Sequence, residues 1–451
     1  MNVAVVGAGI AGLTAAARLR DAHDVVVLER EPVAGGKIRT EHVDGFAFDW
    51  GPNGVLAASP ALRALLAETA LDDELSAAAP GAAKRYIFWN GALHALPTKP
   101  PEALRMSLLS PFGKLRALGD VFARPWDAAP DETVDAFMRR HFGREVSERI
   151  VAPALLGVSG GDARDTSLDA VFPRVRALER ARGSVIRGMA RARGGGLGRL
   201  SSFGAAGMQR LTDRLAELLG ERIRFGLAAE RLERRGSGWR IHHAAGPDGA
   251  ASTDADAVIV ATPADAAARM LALADGELAA LLRTIPYAPM RVVGIAFHAS
   301  HVPAPLDGFG FLAARDQGVR ILGAVYTSSL FPQQGPENVA YLRVFLGGSV
   351  DPGAASLDPA EARAIVRADL RTVLGIEAEP IAYQDVVWPR AIPHYRVGHR
   401  ALVAAIETRV AALPGLGLTG NAYRGLGVAD TVRDGRTVAD AIAGTSAGTV
   451  P

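Results

Sequence analysis

Hydrophobic residues recur along this chain in three ways: as short unbroken runs, at every second position, and at helical spacing. The run NVAVV (2–6) is unbroken and β-branched, which predicts a strand buried on both faces. The small residues after it, ending Ala15, Ala16 and Ala17, predict a helix packed tightly on a sheet. A second strand, DVVVLE, ends at Glu29. FAFDW (46–50) alternates like a short strand, and residues 60 to 80 read as a helix. YIFWNGALHALP (86–97) is a hairpin pattern with Asn90–Gly91 at its turn. From about 98 to 200 the pattern is helical and irregular, broken by prolines at 100, 101, 111, 125, 130, 153 and 173. AGMQRLTDRLAELLG (206–220) is an amphipathic helix closed by a glycine. RIRFGLAAERLERRGSGWRIHHAA predicts strand, strand and hairpin, and DADAVIVATP a further buried strand. Residues 287 to 348 hold the strand-like runs MRVVGIAF, GFGFL, RILGAVYTSS and AYLRVFLGG, and a helix follows near 359 to 374. The end, GLGLTGNAYRGLGVADTVRDGRTVADAIAG, reads strand, glycine-rich turn, helix.

Between the first strand and helix, Gly7, Gly9 and Gly12 stand at G-x-G-x-x-G spacing. The first glycine makes the tight turn, the second lets backbone approach a pyrophosphate, and the third allows close helix–strand packing. The helix N-terminus then offers free N–H groups and a positive dipole end to phosphates. Glu29, closing the second strand, is placed to accept hydrogen bonds from an adenosine ribose. A secretory leader would need a positive segment ahead of its apolar core, and only Met1 and Asn2 stand there. The pattern therefore predicts an α/β fold with a Rossmann-like dinucleotide-binding domain that is discontinuous. Its pieces are expected at 1–80, 200–275 and 385–451. A mixed-sheet substrate domain is expected at 81–97 and 276–384, and a helical insertion at 98–199.

Composition narrows the chemistry. A chain of 451 residues exceeds one simple core, which makes two or three domains the expectation. Hydrophobic residues make up 49%, yet no uncharged apolar run is long enough to predict a spanning helix. The net charge of +2 does not suggest a nucleic-acid binder. There is no cysteine, which excludes disulfides, thiolate metal sites, a cysteine nucleophile and flavin held through a cysteinyl sulfur. It suits a reducing cytoplasm.

Three other signals compete. GVSGG (157–161) satisfies G-x-S-x-G, but a nucleophile elbow needs a strand before the serine, and the helix-like ERIVAPALL precedes it. No metal is expected: the ten histidines lack metal-binding spacing, and His242 and His243, as strand neighbours, point to opposite faces. The stretch 173–199 carries eight arginines and one acid. It lacks the aromatic platforms of a nucleic-acid site, leaving a solvated face or attraction to anionic lipid headgroups as its readings.

With GAGIAG, GGKIRT, DAVIVATP and GNAYRGLGVAD in order, the chain resembles FAD-dependent amine oxidase-type flavoproteins. Within them it resembles the oxygen-dependent protoporphyrinogen oxidases. The segments that carry this closer likeness include GPN (51–53), KRYIFWNGALHALP (84–97), PDETVDAFMRRHFG (130–143) and LERARGSVIRGM (178–189). APLDGFGFL (304–312), LGAVYTSSLFP (322–332), VFLGGS (344–349), WPRAIPHYRVGH (388–399) and GNAYRGLGV (420–428) extend it to nearly the whole chain. The chain departs from the family at GVSGGD (157–162), where an aromatic and AGD are usual, and at TSLDAVFP, on the lining of the substrate cavity.

The resemblance implies non-covalent FAD. The residues that match its binding positions are Gly7, Ala8, Gly9, Ile10, Ala11, Gly12, Glu29, Arg30, Gly36, Lys37, Gly51, Pro52, Asn53, Gly54, Ala229, Trp388, Gly420, Gly427, Val428 and Ala429. The last helix would point its N-terminus at the flavin pyrimidine. It implies a porphyrinogen substrate with O2 as acceptor. Arg85 would pair with a propionate, Asn53 would face the tetrapyrrole, and Leu312, Val325 and Phe345 would sandwich the ring. No catalytic side chain is implied, because flavin N5 takes the hydride. From the absence of cysteine and the arginine-rich stretch, the expected setting is cytoplasmic, with peripheral contact on an anionic inner membrane face; a homodimer is among the expected partners. Coproporphyrinogen III oxidation and, more distantly, amine oxidation are rival reactions; for the two-ring aromatic cage of an amine oxidase the segment near Tyr423 supplies one candidate at most. A tetrapyrrole carrier without chemistry is the rival from outside the enzymes.

Overall fold

The computed structural model describes residues 1–125, 131–191, 199–244, 249 and 251–447. At its centre is a five-stranded parallel sheet in the order Ile223–Arg224, Asp24–Leu28, Asn2–Val6, Ala257–Val260, Leu416–Leu418. The unbroken apolar runs follow from this geometry. Val3, Val5, Val27 and Ile259 face one set of helices, while Ala4, Val6, Leu28 and Val258 face another. Ile10–Leu19, Gln209–Leu219 and Val428–Ala447 cover the first face, and Ala264–Leu271, Gly276–Arg283 and His399–Ala411 the second. Burying each valine, leucine or isoleucine side chain among them stabilises by about 1.5–3 kcal/mol. Strands from the start, middle and end of the chain thus meet in one sheet.

A second sheet is mixed and seven-stranded. Its order is Ala382–Pro393, Tyr287–His298, Val339–Gly347, Gly323–Tyr326, Gly310–Ala313, Arg85–Trp89, Ala92–Ala95. All its pairs are antiparallel except Gly310–Ala313 with Arg85–Trp89. The Asn90–Gly91 hairpin forms as the dipeptide predicts, both residues having positive φ of 50° and 75°. Helix Pro359–Leu374 packs Val366 and Leu370 on one face of the sheet, against Val293, Ile295, Leu342 and Val344.

Two elements differ from expectation. The helix read over 60 to 80 is shorter: Pro60–Thr69 ends where Ala70 turns left-handed at φ 54° and Leu71 N–H donates back to the Leu66 carbonyl. The strand Ala382–Pro393 has no signal of its own, and it carries the mixed sheet to residue 393, past the expected limit at 384. It is an edge strand, where Pro389 and Pro393 break no ladder and both faces stay partly exposed.

The insertion between the sheets is built of short helices. Its arginine-rich stretch is not a uniformly solvated face. Arg176 is 2% exposed, with Asp169, Glu132 and Glu179 as ion-pair partners, and Arg140 and His141 also meet Glu179. Arg187 donates to the carbonyls of Ala123 and Arg182. Positions 192–198 of that stretch lie outside the described residues. Among the described residues no helix is long and apolar enough to cross a membrane.

Candidate active site

The glycine turn after the first strand is built as its spacing requires. A side chain at Gly12 would run into the Gly7 carbonyl, so helix and strand touch there. Around Gly9 the space is open, and the helix starting at Ile10 has no side-chain cap, leaving its N-terminus available to an anion. Ala8 and Ala11 are buried, and Ile10 is half-buried. The second glycine turn lies against the first: Gly35 N–H donates to the Ala8 carbonyl at 2.8 Å, and Gly36 is beside the Gly9 backbone. Glu29 is 8% exposed, and its Oε2 accepts the Ala8 N–H at 2.6 Å. Leu227 N–H donates to the Glu29 carbonyl, which brings the start of strand Ala229–Arg235 to the same corner. Arg30 is exposed and paired with Glu31 at 3.0 Å.

Lys37 follows the second turn and is largely shielded from solvent. Its Nζ donates to the Ala391 carbonyl at 2.7 Å and lies over the Tyr287 ring. Burial pulls its pKa down to about 8, with Asp265 opposing that shift and Arg390 adding to it.

The GPNG turn (51–54) follows the strand Phe46–Asp49 and crosses the mixed sheet, and two side chains of that sheet hold consecutive carbonyls of it. Trp388 Nε1 donates to the Trp50 carbonyl at 2.9 Å, and Arg343 Nη2 donates to the Gly51 carbonyl at 2.8 Å. Gly51 also presses on the backbone of Lys37, and Gly54 on Ser201. Asn53 carries a buried Oδ1 with no hydrogen-bond partner. An orphaned buried acceptor is costly, which marks this turn as a ligand surface.

The register of the mixed sheet brings four expected substrate residues onto one face. Arg343 pairs with Val325, Val325 with Gly310, and Gly310 with Arg85. One step along the strands, Phe345 pairs with Gly323, and Gly323 with Leu312. Paired residues share a face, so Arg85, Leu312, Val325 and Phe345 form a single surface, joined by Arg343. Arg85 is exposed at its margin with its guanidinium 5.1 Å from the Phe309 ring. Leu312 packs on Gly157, so the departing GVSGGD segment touches this surface directly.

The C-terminal glycine turn closes the other side. Gly420 N–H donates to Asp434 Oδ2 at 3.0 Å, and the Gly427 carbonyl accepts from Thr431 in the first turn of helix Val428–Ala447. Gly435 of this helix packs on the Ala11 carbonyl. The start of the helix, with Val428 and Ala429, is seven residues or about 10 Å from that contact. The two helices thus touch near their starts, and one N-terminus suits a pyrophosphate while the other suits the far ring of a dinucleotide. The open Gly9 and the acidic Glu29 fit FAD.

The competing motif fails on geometry. Ser159 ends the helix Ala152–Ser159, is 3% exposed, and donates its hydroxyl to the Leu155 carbonyl at 2.8 Å. Among the described residues no three metal-ligating side chains cluster. Tyr423, in the segment that offered one candidate ring at most for an amine cage, is 3% exposed, in the core with Val403, Ile406 and Leu418.

The sequence matches the flavin containing amine oxidoreductase family across residues 10–443. The chain belongs to that family. It is therefore an oxidoreductase, with FAD as its cofactor. It is 31% identical to protoporphyrinogen oxidase 2, chloroplastic/mitochondrial, of Arabidopsis thaliana, over 98% of this chain and 93% of the relative. It is 29% identical to the coproporphyrinogen III oxidase of Bacillus subtilis, over 98% of each. A crystal structure from Exiguobacterium sp. 255-15 matches with a TM-score of 0.85 at 24% identity, covering 98% of each chain. Reduced UDP-galactopyranose mutase matches with a TM-score of 0.76 at 17% identity, over 98% of this chain and 94% of that one. At these identities the two structures bear on fold alone.

Sequence reasoning missed Arg343 and the hold of Trp388 on the turn. The signal for Arg343 was present: one charge at an inward position of the otherwise apolar strand AYLRVFLGG. Its partner 292 positions earlier in the chain was not legible.

Proposed function

We propose that this flavoprotein oxidises protoporphyrinogen IX to protoporphyrin IX, with O2 as electron acceptor and hydrogen peroxide as by-product. The observation that carries the reading is the apolar sheet face of Leu312, Val325 and Phe345, with Arg85 at its margin and the GPNG turn beside it. When bound, FAD supplies the redox chemistry, accepting two electrons as hydride at N5 in each of three rounds and passing them to O2. The chain's own part is to hold a flat apolar ring. Gly9, Gly12 and Glu29 would seat the nucleotide end, and Gly51 to Gly54 with Gly427, Val428 and Ala429 the ring end. Arg85 is suited to gripping a propionate with a bidentate fork. The Asn53 Oδ1 is suited to accepting a pyrrole N–H. Pyrrole nitrogens shed their protons by tautomerisation, so the site needs no strong general base.

Coproporphyrinogen III is the second reading, favoured by the likeness to the Bacillus subtilis enzyme across the full length of both chains. The purified protein, given each porphyrinogen in air, tests both by the rise of porphyrin fluorescence. Protoporphyrin formed at the greater kcat/KM supports the first reading; no porphyrin from either overturns both.

The insertion also supports a peripheral membrane contact. Phe112, Leu115, Leu118 and Phe122 recur at helical spacing and are 76%, 68%, 49% and 85% exposed. Such a ridge would enter a bilayer surface.

A further inference from the structure

Arg343 is a charge where the fold alone would favour a hydrocarbon. It occupies the middle of strand Val339–Gly347, is 2% exposed, and shares its face with Tyr341 and Phe345. Its guanidinium lies 5.6 Å from the centre of the Phe345 ring, its Nη2 donates to the Gly51 carbonyl, and its Nε is buried without a partner. The acid that acts on it, Asp49, spends its hydrogen bonds elsewhere. Asp49 Oδ1 accepts from Thr40 and from Met208 N–H, and Oδ2 accepts from Gln334. Burial works against the charged guanidinium, yet arginine does not give up its proton in proteins. A buried cation without a contact counterion is destabilising, and a well-packed apolar side chain of similar volume would be cheaper. Costly charges of this kind concentrate where a site uses them.

The place where this charge acts is the GPNG turn. Arg343 and Trp388 grip the carbonyls of Gly51 and Trp50, so the turn cannot move off the sheet without breaking both bonds. We propose that Arg343 is a positioning residue of the flavin turn whose fixed positive charge favours the negative charge gained by the flavin on reduction. The inference rests on reading residues 51–54 as flavin-binding. It acts alongside the N-terminus of helix Val428–Ala447, which offers partial positive charge from the chain's other end.

The test compares FAD-loaded wild type with Arg343→Gln and Arg343→Lys. Glutamine keeps a donor for the Gly51 carbonyl and removes the charge; lysine keeps the charge. Sulfite adds to flavin N5 and leaves negative charge on the ring, so its dissociation constant reads the local field directly, by loss of the visible flavin band. Arg343→Gln is expected to weaken sulfite binding at least tenfold and lower the two-electron midpoint potential by about 30 mV. Arg343→Lys should stay within threefold of wild type. A glutamine variant that matches wild type, or a lysine variant as weak as glutamine, overturns the inference. If Arg343→Gln does not fold, Arg343→His decides, titrated beside wild type from about pH 5 to 8, the range in which imidazole changes charge. Sulfite binding that fails to strengthen relative to wild type as the imidazole gains its proton overturns it too. A wild-type protein that binds no FAD would fail the reading of residues 51–54, whereas bound FAD with an indifferent Arg343 fails this inference alone.

Discussion

Replacing Glu29 by glutamine or alanine separates two tasks that fall to one carboxylate. Oε2 accepts the N–H of Ala8 at 2.6 Å, Oε1 accepts the N–H of Glu31 at 2.9 Å, and Ala8 itself is fully buried. A carboxylate offers about four lone-pair sites, so two remain for ribose hydroxyls. Alanine strips the partner from a buried N–H, which costs about 1–3 kcal/mol in stability. It should also remove the charged hydrogen bonds proposed to the ribose, worth about 1.5–3 kcal/mol or roughly ten- to over a hundred-fold in FAD affinity. Glutamine keeps one acceptor for the Ala8 N–H and loses the charge. Glu29→Gln should therefore unfold in urea within about 1 kcal/mol of wild type while binding FAD about tenfold more weakly. Glu29→Ala should lose both properties. FAD titrated into apoprotein, followed by flavin fluorescence, supplies the affinities, and urea unfolding of the apoprotein the stabilities. Wild-type FAD affinity in both variants would refute the reasoning and leave Glu29 as a cap on the glycine turn alone.

Arg85→Ala should lower kcat/KM for protoporphyrinogen about tenfold with FAD retained, and Arg85→Lys should recover part, since an ammonium lacks the fork. Esterifying the propionates should hurt wild type far more than Arg85→Ala; equal losses would mean that the two groups do not meet. Lys37 sets a pH dependence: its folded pKa of about 8 lies below the unfolded value of 10.5, so the unfolded chain holds more protons between those limits. Apoprotein stability should therefore gain from Lys37 as pH rises from about 8 to 10.5, by up to about 3 kcal/mol, relative to Lys37→Met. Parallel urea curves of the two proteins at each pH would contradict this. Phe112→Asp with Phe122→Asp should release the protein from vesicles rich in anionic lipid while leaving porphyrinogen turnover in detergent unchanged; vesicle binding that survives both substitutions would count against the ridge.

Much of this architecture is written in local pattern. NVAVV, the glycine spacing and DVVVLE specify strand, turn and strand because backbone sterics and burial on two faces act over a few residues. The Asn90–Gly91 hairpin and helix Pro359–Leu374 were legible for the same reason. Family likeness, carried by segments spread over the whole chain, named candidate flavin and substrate residues that spacing alone could not. The edge strand Ala382–Pro393 left no trace, because its partial exposure on both faces erases the alternation by which strands are read. Ser159 and Arg176 show the limit from the other side: each matched a motif or a charge run, and packing turned both inward. Which side chains grip the GPNG turn was decided by register. The pairing of Val339–Gly347 with its neighbours puts Arg343 and Phe345 on the face that meets Gly51, and a slip of one residue would have sent both to the opposite core.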